Sequence, residues 1–99
     1  MTALDGAAVR RWADVVDDHN PLHLDPAYAA TTRFGTPVVH GSLLFALVCD
    51  AVQEAGAGDD LRVRFRAPVP VGSEVAVAVV EGRVRLCAAG VEPVEVELG

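Results

Sequence analysis

The sequence predicts an α+β fold on three observations. Its first half carries apolar residues at helical spacing, and its second half holds valine-rich runs that alternate with polar or small residues. Between them lies a helical segment that is apolar nearly all round. Helices followed by strands give helices gathered on an antiparallel sheet, with the apolar helix rolled inside it. The 99 residues suit one domain, for which about 100–150 residues is typical. A composition of 52% hydrophobic and 22% charged residues is that of a globular chain and excludes disorder as the main reading.

In the first helix, Thr2 followed by Asp5 resembles a capping box, and Val9, Trp12, Ala13 and Val16 then form one apolar face ending near Asp17. Trp12 reads as a core anchor. Asn20-Pro21 breaks the helix, because the residue before proline is driven out of the α region. Asp25-Pro26 offers an N-cap with proline at the first helical position and opens a short helix to about Ala30. Arg33 to Val39, holding Gly35 and Pro37, reads as loop or short extended chain. The apolar central helix is expected over about Ser42–Ala55, with Ser42 as its cap and Gly56 as its stop. Strands are expected at Leu61–Ala67, Ser73–Glu81, Arg83–Ala89 and Val91–Leu98, as an antiparallel meander punctuated by the Pro68–Gly72 segment, Gly82 and Gly90.

Four strands cover such a helix poorly, and a small domain buries only about two-thirds of its unfolded surface. Extension of the sheet across a two-fold axis would relieve both the open edge and the bare helix, so a homodimer is expected.

The net charge of −6, with eight basic residues in all, leaves no concentrated basic face and argues against nucleic acid. Arg62, Arg64 and Arg66 alternate and share one strand face. A solvated face is the favoured reading, with a phosphate or an acidic carrier as the alternative. Cys49 and Cys87 stand apart in apolar surroundings and read as core thiols. The amino terminus lacks the blocks of a signal peptide, and Leu43–Cys49 is far short of the roughly 20 residues that span a bilayer. A cytoplasmic protein without a membrane segment is expected.

The densest polar cluster is Asp18-His19-Asn20-Pro21-Leu22-His23-Leu24-Asp25. A general acid/base pair needs two titratable groups on a rigid turn, one of them able to take a proton near neutral pH, and Asp18 with His23 meets that need. The competing reading makes Asp18 and Asn20 turn builders and His23 a polar core residue. His19 and His23 have the four-residue spacing of metal ligands on a helix, but Pro21 between them removes the helical geometry. No metal is expected.

The stretch Asp18–His23 resembles the D-x-N-P-[hydrophobic]-H signature of the MaoC-like, or R-specific enoyl-CoA hydratase, family of hotdog proteins. Thr31-Thr32-Arg33-Phe34-Gly35-Thr36-Pro37-Val38-Val39-His40-Gly41 is similar to the family's approach to its central helix. Phe65-Arg66-Ala67-Pro68-Val69 with Val71-Gly72-Ser73-Glu74-Val75 is similar to its next strand and turn. The resemblance implies a single hotdog domain over residues 1–99, and hydration of a trans-2-enoyl thioester or dehydration of an R-3-hydroxyacyl thioester. It implies no cofactor, and an acyl-CoA or acyl-carrier-protein thioester as substrate.

By this resemblance Asp18 and His23 hold the reacting water and move its protons, their division of labour left open. Gly41 is the oxyanion-hole candidate, because a backbone N–H at the start of a buried helix can donate to the oxygen on which charge builds in the thioester carbonyl. The alternative is that the glycine only eases the turn. Asn20 is expected to aim His23, Ser42 to cap the helix or touch substrate, and His40 to pack or bond locally.

Three departures from the family pattern stand out. Asp17 replaces a usual glycine, the amino-terminal strand is expected to be absent, and the distal hairpins are short. These leave room for an unusual substrate such as a carrier-bound polyketide intermediate, or for a subunit that works beside a second hotdog chain. The competing functions are a cyclase that adds an internal hydroxyl to a polyketide-type thioester, a thioesterase, which would not require the Asp18–His23 arrangement, and a non-catalytic hotdog subunit.

Overall fold

The computed structural model describes residues 2–56 and 60–98. In chain order they form β1 (Thr2–Leu4), α1 (Gly6–Val16), α2 (Pro21–Leu24), α3 (Pro26–Ala29), α4 (Gly41–Glu54), β2 (Leu61–Phe65), β3 (Ser73–Val80), β4 (Arg83–Ala88) and β5 (Val94–Leu98). The α+β class is that expected from the sequence, and from α1 onward the helices precede the strands as expected.

The amino-terminal strand, expected to be missing, is present. Thr2, Ala3 and Leu4 pair antiparallel with Val75, Glu74 and Ser73, and Leu4 is 2% exposed. Three residues are too few to show a period of two, so only the partner strand reveals this one. Because Thr2 is spent on the ladder, Asp5 caps α1, its carboxylate accepting from the Ala8 N–H at 2.9 Å. Val9 and Ala13 are the buried face of α1, and Trp12 packs against the core.

The central helix α4 starts one residue earlier than expected, and His40 stands at its N-cap without a side-chain cap bond. Ser42 is therefore not the cap; its hydroxyl accepts from the Trp12 indole N–H at 2.9 Å, tying α1 to α4. Leu43, Leu44, Val48 and Val52 are buried, chiefly against β3 with β2 and β4 beside it. Phe45, on the same helix, stays 40% exposed, so a single chain does not wrap the helix on every side. Gly56 follows the helix with φ 63°, the left-handed stop that glycine adopts freely.

The strands form two sheets, β1-β3-β4 and β2-β5, all antiparallel. The β3–β4 hairpin turns on Glu81-Gly82, both at positive φ (51° and 74°), the two-residue turn whose twist matches its strands. The expected meander ends there. Ala89-Gly90 turns the chain again, but Pro93 offers no N–H, and its carbonyl accepts from Arg66 and Ala67 at 2.7 and 3.2 Å. The last strand therefore begins at Val94 and pairs with β2, lying beside β4 without a ladder.

Register places Arg62 opposite Glu97 and Arg64 opposite Glu95 on the exposed face of β2–β5. Arg66 reaches Glu95 at 2.9 Å and Arg62 reaches Glu97 at 3.9 Å. The arginine face is thus a solvated ladder of ion pairs, each worth about 1 kcal/mol or less. Cys87 corrects the sequence reading: Val84, Leu86 and Ala88 point inward on β4, so Cys87 shares the outward face with Arg83 and Arg85 and is exposed. Cys49 is half-buried on α4. Among the described residues no helix is long and apolar enough to cross a membrane.

Candidate active site

The polar cluster folds as a turn and two single-turn helices. Asp17 ends α1 in the left-handed conformation, φ 53° and ψ 47°, so the aspartate adopts the backbone that a glycine would take there. Asp18 follows on the surface, its carboxylate accepting from the Asn20 N–H at 3.3 Å. Asn20 caps α2 by accepting from the Leu22 N–H at 3.0 Å, with Pro21 at the first helical position. Asn20-Pro21 is thus a helix start as well as a break, and it carries His23 on the turn it opens.

His23 is half-buried, and its Nδ1 lies 2.6 Å from the Val38 carbonyl oxygen. A carbonyl only accepts, so Nδ1 holds the ring proton and Nε2 keeps its lone pair when the ring is neutral. Val38 is itself pinned: its N–H donates to the Leu22 carbonyl at 3.3 Å, and it bridges to Pro70. The chain therefore selects one tautomer and one ring orientation for His23.

His40 does more than the local packing expected of it. It is 1% exposed, its Nε2 donates to the Asp18 carbonyl at 3.0 Å, and its ring stacks on His23 with centroids 3.8 Å apart and planes 25° from parallel. Its Nδ1 is buried without a partner among the described residues. Sequence reasoning placed His40 beside Gly41 but had no signal for a contact across 22 residues to Asp18.

Asp18, His23 and His40 bring one potential ligand atom each within 4.8 Å of one another. The near-parallel stack keeps the in-plane lone pairs of the two imidazoles from converging on one point, as a tetrahedral cation would require. The arrangement suits proton exchange better than cation binding.

Gly41 opens α4 next to this pair, and its N–H, one of the helix's leading donors, has no backbone partner among the described residues. It is not among the positive-φ glycines, so the turn does not require glycine here. A methyl group in its place would meet the Phe65 ring at 3.4 Å, an ordinary contact. Phe65, half exposed, thus packs beside Gly41, a neighbour that sequence reasoning did not single out. Ser42 is exposed but its oxygen is engaged by Trp12.

His19 points away from the pair, toward Asp14 at 2.8 Å and Asp17 at 3.6 Å. The hydrogen bond to Asp14 raises its pKa above 6.5, with the charges of Asp14, Asp17 and Asp18 acting in the same direction and desolvation opposing.

The model of the MaoC-like domain matches residues 2–98. The chain is 45% identical over 78 residues to the (R)-specific enoyl-CoA hydratase of Aeromonas caviae, covering 74% of this chain and 58% of that protein. It is 40% identical over 76 residues to the 3-hydroxyacyl-thioester dehydratase Z of Mycobacterium tuberculosis, covering 68% and 50%. The matched stretch thus spans little more than half the length of these curated relatives. Among solved structures, the (R)-hydratase from Aeromonas caviae involved in PHA biosynthesis superposes with a TM-score of 0.76 at 34% identity, covering 99% of this chain and 90% of that one. An unliganded R-hydratase from Pseudomonas aeruginosa gives 0.73 at 32% identity, covering 96% and 72%. The fold they share with this chain is the hotdog, an antiparallel sheet packed on one central helix.

Proposed function

This chain belongs to the MaoC-like domain family, and from that membership we propose that it hydrates trans-2-enoyl thioesters, or dehydrates R-3-hydroxyacyl thioesters, by an Asp18/His23 acid/base pair. The observation that carries the reading is the pinned tautomer of His23: with Nδ1–H on the Val38 carbonyl, Nε2 keeps its lone pair in a ring that has a nitrogen within 4.8 Å of an Asp18 carboxylate oxygen.

In the hydration direction, water oxygen bonds to C3 of the enoyl chain, the C2–C3 double bond becomes single, and C2 gains a proton. The neutral ring can take the proton that water loses, Asp18 holds that water through its carboxylate, and the pair returns one proton to C2. Negative charge builds on the thioester carbonyl meanwhile, and the Gly41 N–H is the donor offered to it; one such donor is worth roughly 10²–10³ in rate. Dehydration runs the same steps backward. Asn20 serves by building the turn that aims His23.

The substrate class is an acyl-CoA or acyl-carrier-protein thioester. Asp18, Gly41 and Ser42 are exposed, and Phe45 and Phe65 leave apolar surface open beside them. A second hotdog chain, in a homodimer or a hetero-oligomer, would cover that surface and complete the acyl pocket. The reading keeps residues 1–99 as a single hotdog domain and a cytoplasmic setting.

The test is incubation with crotonyl-CoA and a longer trans-2-enoyl-CoA, with chiral analysis of the product and sedimentation of the protein. R-3-hydroxyacyl-CoA from a dimer supports the reading. Release of free thiol would point to a thioesterase instead, and a stable monomer would remove the second chain from the site.

A further inference from the structure

We propose that His40 is a positioning residue that couples the two members of the acid/base pair, holding the Asp18 backbone with one ring atom and the His23 imidazole with its ring face. The inference rests on the reading of Asp18 and His23 given under Proposed function and adds to it a third residue, the second imidazole, which does not touch substrate.

Three features separate His40 from an ordinary packed histidine. It is almost wholly buried, yet it spends its only donor on a single distant acceptor, the Asp18 carbonyl at 3.0 Å. A carbonyl only accepts, so Nε2 carries the proton and Nδ1 has the bare lone pair, which finds no donor among the described residues. Leaving a buried acceptor unsatisfied carries a desolvation cost that an apolar side chain of similar shape would avoid. The flat ring also lies against His23 at 3.8 Å, so the same side chain sets the depth of the Asp18 turn and the tilt of the His23 ring.

The geometry makes the two hydrogen-bonded tautomers complementary. His23 is anchored through Nδ1 to Val38 and His40 through Nε2 to Asp18, two different backbone carbonyls. Neither ring can turn over without breaking its anchor and sliding across the other. His40 also stands at the N-cap of α4, one residue before Gly41, so its anchor on Asp18 ties the start of that helix to the acid/base turn. A shift of about 1 Å in such a group can lower turnover by about 10²-fold, because the reacting atoms then meet out of line.

Two substitutions separate the two contacts. In His40→Gln the amide nitrogen stands where Nε2 stood and keeps a donor for Asp18, but the stacking face is lost; in His40→Phe the face remains and the donor is lost. With crotonyl-CoA as the probe, both variants should lower kcat about tenfold or more, leave KM within about twofold, and displace the pH profile of kcat. Folded variants with wild-type kcat and pH profile would overturn the inference.

Imidazole nitrogen NMR on the full chain without substrate gives a readout that does not depend on turnover. The wild type should show His40 protonated at Nε2 and His23 at Nδ1, and His40→Phe should shift the His23 and Asp18 resonances. A His40 protonated at Nδ1 in the wild type would overturn the inference even where neither variant folds. If the wild type does not turn over crotonyl-CoA but both tautomers are as stated, the coupling stands and the hydratase reading fails.

Discussion

The His23 ring rests its Nδ1 2.6 Å from the Val38 carbonyl oxygen, and that single contact decides which ring nitrogen is available for chemistry. In His23→Asn the amide nitrogen occupies the place of Nδ1 and can still donate to Val38, but nothing replaces Nε2. Thermal stability should change little, while kcat on an enoyl-CoA should fall by roughly 10²–10⁴. Steady-state kinetics beside a melting curve checks both halves, and retained turnover would remove His23 from the proton path.

Gly41→Ala separates backbone need from ligand access. The φ at Gly41 is not in the left-handed region, the added methyl meets Phe65 at 3.4 Å, and alanine favours a helix over glycine by about 1 kcal/mol. The variant should be at least as stable as the wild type in urea, with turnover reduced about tenfold or more as the methyl crowds the carbonyl beside the N–H. An unstable variant would mean that the glycine serves the fold.

Asp17 sits at φ 53° without a glycine's freedom. Asp17→Gly should raise stability by about 0.5–1 kcal/mol, read as a higher denaturation midpoint at unchanged slope. A lower midpoint would mean that the nearby His19, 3.6 Å from the Asp17 carboxylate, gains more from the charge than the backbone loses.

The raised pKa of His19, caused first by its hydrogen bond to Asp14, links stability to pH. The folded-state pKa lies above the unfolded value, so the stabilisation is fully present below the unfolded pKa of about 6.5 and is lost as pH rises through the folded one. Proton NMR should find His19 titrating above 6.5, and Asp14→Asn should bring it down. The side chain is half exposed, so added salt should shrink the shift. An unchanged titration in Asp14→Asn would contradict this assignment.

What the sequence revealed was mostly local. Caps, prolines and the spacing from Asp18 to His23 lie within one or two turns, so α1, α3, α4 and the orientation of the Asn20 turn could be read from neighbours along the chain. The pairings of β1 with β3 and β5 with β2 depend on strands far away in sequence, and a three-residue strand has no periodicity of its own. Cys87 was legible in principle, since two-residue alternation groups it with Arg83 and Arg85 instead of Leu86. His40 and Val38 were not: one works through a carbonyl 22 residues away and the other through its own backbone, and neither leaves a mark in residue type.

The most direct test is the loss of enoyl absorbance when the wild type and Asp18→Asn are each given crotonyl-CoA. The account predicts turnover by the wild type and a fall of roughly 10²-fold or more for Asp18→Asn at unchanged melting temperature, because the isosteric amide keeps the turn but cannot take or return a proton. Equal rates for the two proteins would contradict the acid/base assignment.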